Sequence, residues 1–181
     1  DQSYTTGAKK LPDYKEAFFR TKRKEKIDVK LKNENKKVKD IGILLVYDSK
    51  NNPLGHFLTV DGLDFTVQSL KVVDKYLDNV RKNIKILKKE EIKKIILRCG
   101  AYLGEVIRKT DQRNFYWLSY EIASKLDRDI NKYGRTLLTH IILYDLRKKR
   151  FWFPLNKVNK YLENGKSESL WSFAMVALEG D

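Results

Sequence analysis

The chain has 181 residues, 41% hydrophobic and 34% charged, which is enough apolar side chain for a full core and argues against wholesale disorder. Thirty-eight Lys and Arg stand against 24 Asp and Glu, a formal charge of +14 that favours nucleic acid, anionic lipid or an acidic protein as partner. No run approaches the ~20 apolar residues of a membrane span. The single cysteine forbids an intramolecular disulfide, and with two histidines it makes a poor zinc donor set, so no metal and no cofactor are expected.

Residues 1–40 are the most basic and least periodic stretch and read as a basic N-terminal extension, leaving 41–181 as a single α+β domain. Pro12 followed by residues 13–19 can open a short helix, with Tyr14, Phe18 and Phe19 as anchors onto the main domain. Lys22, Arg23 and Lys24 form a cationic cluster within the arm. The chain as read begins at Asp1, which fits a mature exported form, a trimmed form or a fragment. The expected compartment is the bacterial cytoplasm or, after leader removal, the periplasm or the exterior.

Residues 41–47 are a nearly continuous apolar run closed by a turn signal at 48–53, and 54–60 resume with apolar and polar residues mixed. Two strands joined by that turn, or a helix reaching back into Val38, both satisfy the pattern. His56 beside the turn reads as an ordinary surface imidazole. Leu70, Val73, Leu77, Val80 and Ile84 then recur at helical spacing, predicting a helix near 66–86 with Thr66 or Asp64 as its N-terminal acceptor. Asp74 and Asp78 sit one turn apart on it. Their spacing to Lys71, Lys75 and Lys82 reads as a charged helix face, and acid/base chemistry would require both carboxylates to line a pocket.

A second helix is expected over 90–108, with its stripe at Ile92, Ile95, Ile96, Cys99, Leu103, Val106 and Ile107. Cys99 within that stripe reads as a buried small hydrophobe rather than a nucleophile. Gly100 and Gly104 are spaced as in a close helix crossing, where a missing Cβ admits another backbone. Glu105 follows, with Tyr102 behind it and Arg108 and Lys109 ahead. A buried carboxylate bonded to neighbours, an exposed pair with Lys109, and a catalytic or ligand-binding group are the roles open to it.

Three stretches together resemble a family of small bacterial α/β domains: 63–70 with 73–78; the motif at 100–106 (Gly100, Tyr102, Gly104 and Glu105) followed by an aromatic cluster around Trp117; and 153–158 leading to 162–165. The resemblance covers about residues 60–178. It implies a small mixed domain, with similarity to immunity proteins of bacterial toxins or to secretion-accessory proteins, and it brings no catalytic set. The chain departs from that pattern at 110–115, where a Gly-Gly turn is expected before the tryptophan.

Further on, 115–120 suits a short strand and 121–133 an amphipathic helix stopped by Gly134. Residues 137–144 are apolar on both faces and read as the central strand, with His140 on the face of Leu138, Ile142 and Tyr144. His140 there is a core-edge histidine, or a general base if a pocket forms beside it. A basic turn carrying Arg147, Lys148, Lys149 and Arg150 leads into a strand at 151–153 closed by Pro154; beside Trp152 it can grip phosphate while an aromatic stacks on a base. Helices follow near 155–163 and 168–178, the latter capped by Ser167.

The chain contains no phosphate-binding glycine loop, metal-binding histidine pair, nucleophile elbow or thiol redox motif. The expectation is therefore helices packed on a small antiparallel sheet, acting as a non-catalytic protein-binding domain toward an acidic partner. Two alternatives are kept: nonspecific nucleic-acid binding through Lys22, Arg23, Lys24 and the 147–150 tip, and a hydrolase-like enzyme built on Glu105 and His140.

Overall fold

The computed structural model describes residues 24–179, mostly helical with a three-stranded antiparallel sheet, an α+β fold as expected. Helix α1 (Lys24–Tyr47) is followed by 3-10 turns at Ser49–Asn51, Gly55–Phe57 and Val60–Gly62. Helices α2 (Leu70–Lys82) and α3 (Lys89–Thr110) precede strand β1 (Phe115–Ser119) and the short helix α4 (Tyr120–Leu126). Strands β2 (Ile141–Asp145) and β3 (Arg150–Trp152) form a hairpin, after which come α5 (Pro154–Asn164) and α6 (Leu170–Leu178).

Helix α3 is the axle. From Ile95 onward its apolar stripe widens until Cys99 through Ile107 are buried all round, the signature of a helix enclosed by others. Its glycines make that enclosure possible. A Cβ on Gly104 would fall 2.1 Å from the Trp117 ring of β1, and one on Gly100 would fall 2.7 Å from the Leu155 side chain of α5. On a third side, Gly42 of α1 lies against the Ala101 backbone, where a Cβ would meet it at 3.2 Å.

The apolar run at 41–47 takes the helical option, because Val38 and Leu45 bury on one face of α1 against α3. Position 40, where the basic extension was expected to end, lies within this helix. The expected helix at 13–19 and its anchors lie outside the described residues. A buried arginine holds the C-terminal end of α1: Arg98 donates to the Asp48 carbonyl at 3.1 Å, to Asn52 Oδ1 at 2.7 Å and to Asp48 Oδ2 at 2.5 Å. Asn52 in turn donates to the Leu45 carbonyl at 2.8 Å. Helix-terminal carbonyls that lack intrahelical partners are thus satisfied by side chains.

The sheet order is β1-β2-β3, with Trp117 opposite Leu143 and Leu143 opposite Trp152. Phe115, Trp117, Ile141 and Leu143 face the main core, whereas Leu118, Ile142 and Tyr144 face a second cluster with Ile122 and Ile130. With both faces covered, every residue of β2 is buried, as its apolar composition predicts for a central strand. The free edge of β1 is closed by α1: Trp117 N donates to Asn35 Oδ1 at 3.0 Å, so a side-chain amide stands in for a missing strand.

Several local expectations are corrected. Residues 137–139 form a 3-10 turn rather than the start of β2, because Thr136 and Thr139 cap each other and Thr139 donates to the Gly134 carbonyl at 2.7 Å. His140 is consequently exposed and precedes the strand instead of lying at the core edge. The helix expected over 121–133 breaks at Asp127, whose side chain accepts from Asp129 N and starts a 3-10 segment. Pro154 opens α5, where its fixed φ suits the first turn, and Ser169 rather than Ser167 caps α6.

Two measurements test this packing. Gly104→Ala gains helix propensity yet drives a methyl into the Trp117 ring, so it should destabilise the protein by roughly 1–3 kcal/mol in urea unfolding followed by tryptophan fluorescence. The Asp48 carboxyl is held below its ordinary value of 3.8, chiefly by the hydrogen bond from Arg98. Its contribution is therefore present above that value and lost as pH falls through the lower folded one. The stability gap between the wild type and Asp48→Asn should narrow steadily as denaturation is repeated from pH ~5 toward pH ~2.

Candidate functional site

Glu105 projects from the buried side of α3 and is 0% exposed. Trp117 Nε1 donates to its Oε1 at 2.9 Å, while Arg108 donates from Nε to Oε1 at 2.8 Å and from Nη2 to Oε2 at 3.1 Å. Both oxygens are engaged, and the ion-pair partner is Arg108, three residues on, rather than Lys109. Lys109 instead lies 4.2 Å from the centroid of the Phe65 ring. Phe65 adopts φ 61, pinned by its N–H donating to Tyr102 Oη at 3.0 Å. Tyr102 Oη also shares a 2.6 Å hydrogen bond with Ser69 Oγ, and burial pushes its phenol pKa up. The Gly100, Tyr102, Gly104, Glu105 and Trp117 motif is thus a bracket that locks α3 to β1 and to the entry of α2. His140 does not join it.

Only part of the basic set singled out in the sequence falls among the described residues. Lys22 and Arg23 lie outside the described residues, and Lys24 opens α1 with its side chain likewise outside them. At the hairpin, Arg147 is held between Asp145 at 3.4 Å and Asp111 at 3.6 Å. Asp145 is fully buried and accepts from the Arg147 backbone N–H at 2.9 Å, which fixes the turn. Lys148 is partly buried, Lys149 and Arg150 are exposed, and the Arg150 guanidinium stands 5.6 Å from the Trp152 ring centroid. Trp152 packs edge-on to Phe173 with ring centroids 5.3 Å apart and is half-buried.

A cleft of about 610 Å³ lies between α2, α5 and the 166–169 turn. Exposed Lys71, Lys75, Lys82 and Lys166 line it together with Asp74 and Asp78. The carboxylates do not simply form a charged helix face, because they reach across to other elements. Asp74 accepts from Ser169 Oγ at 2.7 Å and from Leu170 N at 2.8 Å, joining the N-terminus of α6 to α2. Asp78 accepts from Tyr161 Oη at 2.8 Å, with Lys166 Nζ 3.8 Å away. Burial raises the Asp74 pKa, and burial raises the Tyr161 phenol pKa as well. Among the described residues no set of three His, Cys, Asp or Glu could hold a metal ion.

Comparisons with protein-family models, curated proteins and solved structures find no match to the chain.

Asn35, Arg98 and the Asp74–Ser169 and Asp78–Tyr161 bonds carry much of the architecture and were not singled out as such in the sequence. For Arg98 a signal existed: it falls between Ile95 and Tyr102, inside the apolar stripe of its helix, where a charge needs a buried partner. Asn35 offered none, because its partner is 82 residues away. The Glu105 bracket yields a direct test. Glu105→Gln keeps an acceptor for Trp117 but removes the charge facing Arg108, and should lower unfolding stability by roughly 1–3 kcal/mol, with Glu105→Ala costing more.

Proposed function

We propose that this chain is a non-catalytic protein-binding domain whose partner presents acidic residues. The observation that carries the reading is the state of its carboxylates: Glu105, Asp145, Asp74 and Asp78 are taken up in structural bonds, whereas Lys75 and Lys82 are exposed, with exposed Lys71 beside the Trp171 ring and Lys166 beside Asp78. A surplus of solvated cations steers an acidic partner and accelerates encounter, while rim contacts of this kind set specificity more than affinity. The resemblance of the three stretches within 60–178 to immunity and secretion-accessory proteins supports, by analogy, a bacterial toxin or a component of a secretion system as the partner class. Enzymatic chemistry at Glu105 and His140 is disfavoured because the carboxylate has no exposure and the imidazole stands on the surface apart from it.

The test is capture on immobilised protein after nuclease treatment, followed by mass spectrometry and a parallel titration with duplex DNA. Retention of a discrete set of acidic proteins that elute as salt rises supports the proposal. Binding of DNA with a steep salt dependence and no retained protein would replace it with the nucleic-acid reading.

A further inference from the structure

The proposed acidic partner needs a place to dock, and resting on that reading, we infer that the cleft between α2 and the 166–169 turn takes an acidic peptide segment in which carboxylates alternate with uncharged residues. Lys71, Lys75 and Lys82 are four and seven residues apart. At 100° per residue they fall on one line along α2, spanning about 16 Å at 1.5 Å per residue. Lys166, with its side chain 85% exposed, faces them from the opposite wall. Asp78 falls on the same line between Lys75 and Lys82, and Asp74 lies just beside it.

That interruption of the positive line selects the class of ligand. A phosphate backbone carries a charge at about every 3.4 Å per strand and no hydrogen-bond donor of its own, so phosphates would be forced against the two aspartates. A peptide avoids this. Its side-chain carboxylates can meet the lysines, while its backbone N–H groups are donors that the partly exposed Asp78 carboxylate can accept beside its bond from Tyr161. Asp78 is already oriented by Tyr161, and its neighbour Asp74 by Ser169 and the Leu170 N–H, so the negative positions in the cleft are preorganised. An extended segment of about five residues matches the length of the lysine line at 3.3 Å per residue.

The experiment uses the full chain, isotope-labelled for NMR, and a fluorescent decapeptide alternating Glu with Ser. The expected result is that amide shifts on titration concentrate in 71–82 and 161–170. Lys75→Glu with Lys82→Glu should weaken peptide binding by about tenfold or more, whereas the equal charge change at exposed Lys36 and Lys37 of α1 should weaken it by less than about twofold. Circular dichroism should confirm that both double variants remain folded, and Lys75→Gln with Lys82→Gln should give a smaller loss of the same kind. Shifts that map elsewhere, or equal loss in both double variants, would overturn the cleft assignment while leaving an acidic partner in place. A peptide that fails to bind, together with no acidic protein captured, would remove both. Duplex DNA that occupies the cleft more tightly than the peptide would overturn the peptide assignment.

Discussion

A carboxylate with no solvent exposure is tolerable in a protein interior only when paired and hydrogen-bonded, and Glu105 meets both conditions with three donors from Arg108 and Trp117. The contact requires the indole to lie flush on α3, and only the missing side chain of Gly104 leaves room for it. Trp117 therefore fixes the height and angle at which β1 crosses the central helix. The register of β1 with β2, and of β2 with β3, carries that placement through the sheet to the start of α5.

Several other polar side chains follow the same logic of joining elements that are distant in sequence. Arg98 and Asn52 close the end of α1, Asn35 completes the edge of β1, and Asp74 and Asp78 tie α2 to α6 and α5. Each bond gives a buried or half-buried polar group a partner it would otherwise lack, and each also fixes an interelement geometry that apolar contact alone would leave looser. Glu105, Asp74 and Asp78, which invite a catalytic reading, each hold such a bond. Cys99 belongs with them: burial pushes its thiol pKa far up, which keeps it in the unreactive thiol form.

On the outer surface, the α2 cleft gathers Lys71, Lys75, Lys82 and Lys166. No described helix is long and apolar enough to cross a membrane. The acidic peptide proposed for this cleft would meet both its cations and its oriented carboxylates.

Much of the secondary structure was legible because it is local. The 3.6-residue stripes of α2, α3 and α5, the two-faced apolar run of β2 and the glycine pair of α3 are patterns that any neighbour within a turn or two reinforces. The sequence by itself therefore determined the fold class, the buried state of Cys99 and the close crossing at Gly100 and Gly104. Only tertiary structure decided whether 41–47 would be strand or helix, since a short apolar run is stable in either form until a partner face selects one. It likewise decided the partners of Glu105, Asp74, Asp78 and Arg98. Hydrogen bonds to Trp117, Ser169, Tyr161 and Asp48 span from 12 to 95 residues, and no spacing rule reaches across such distances because chain geometry there is set by the fold itself.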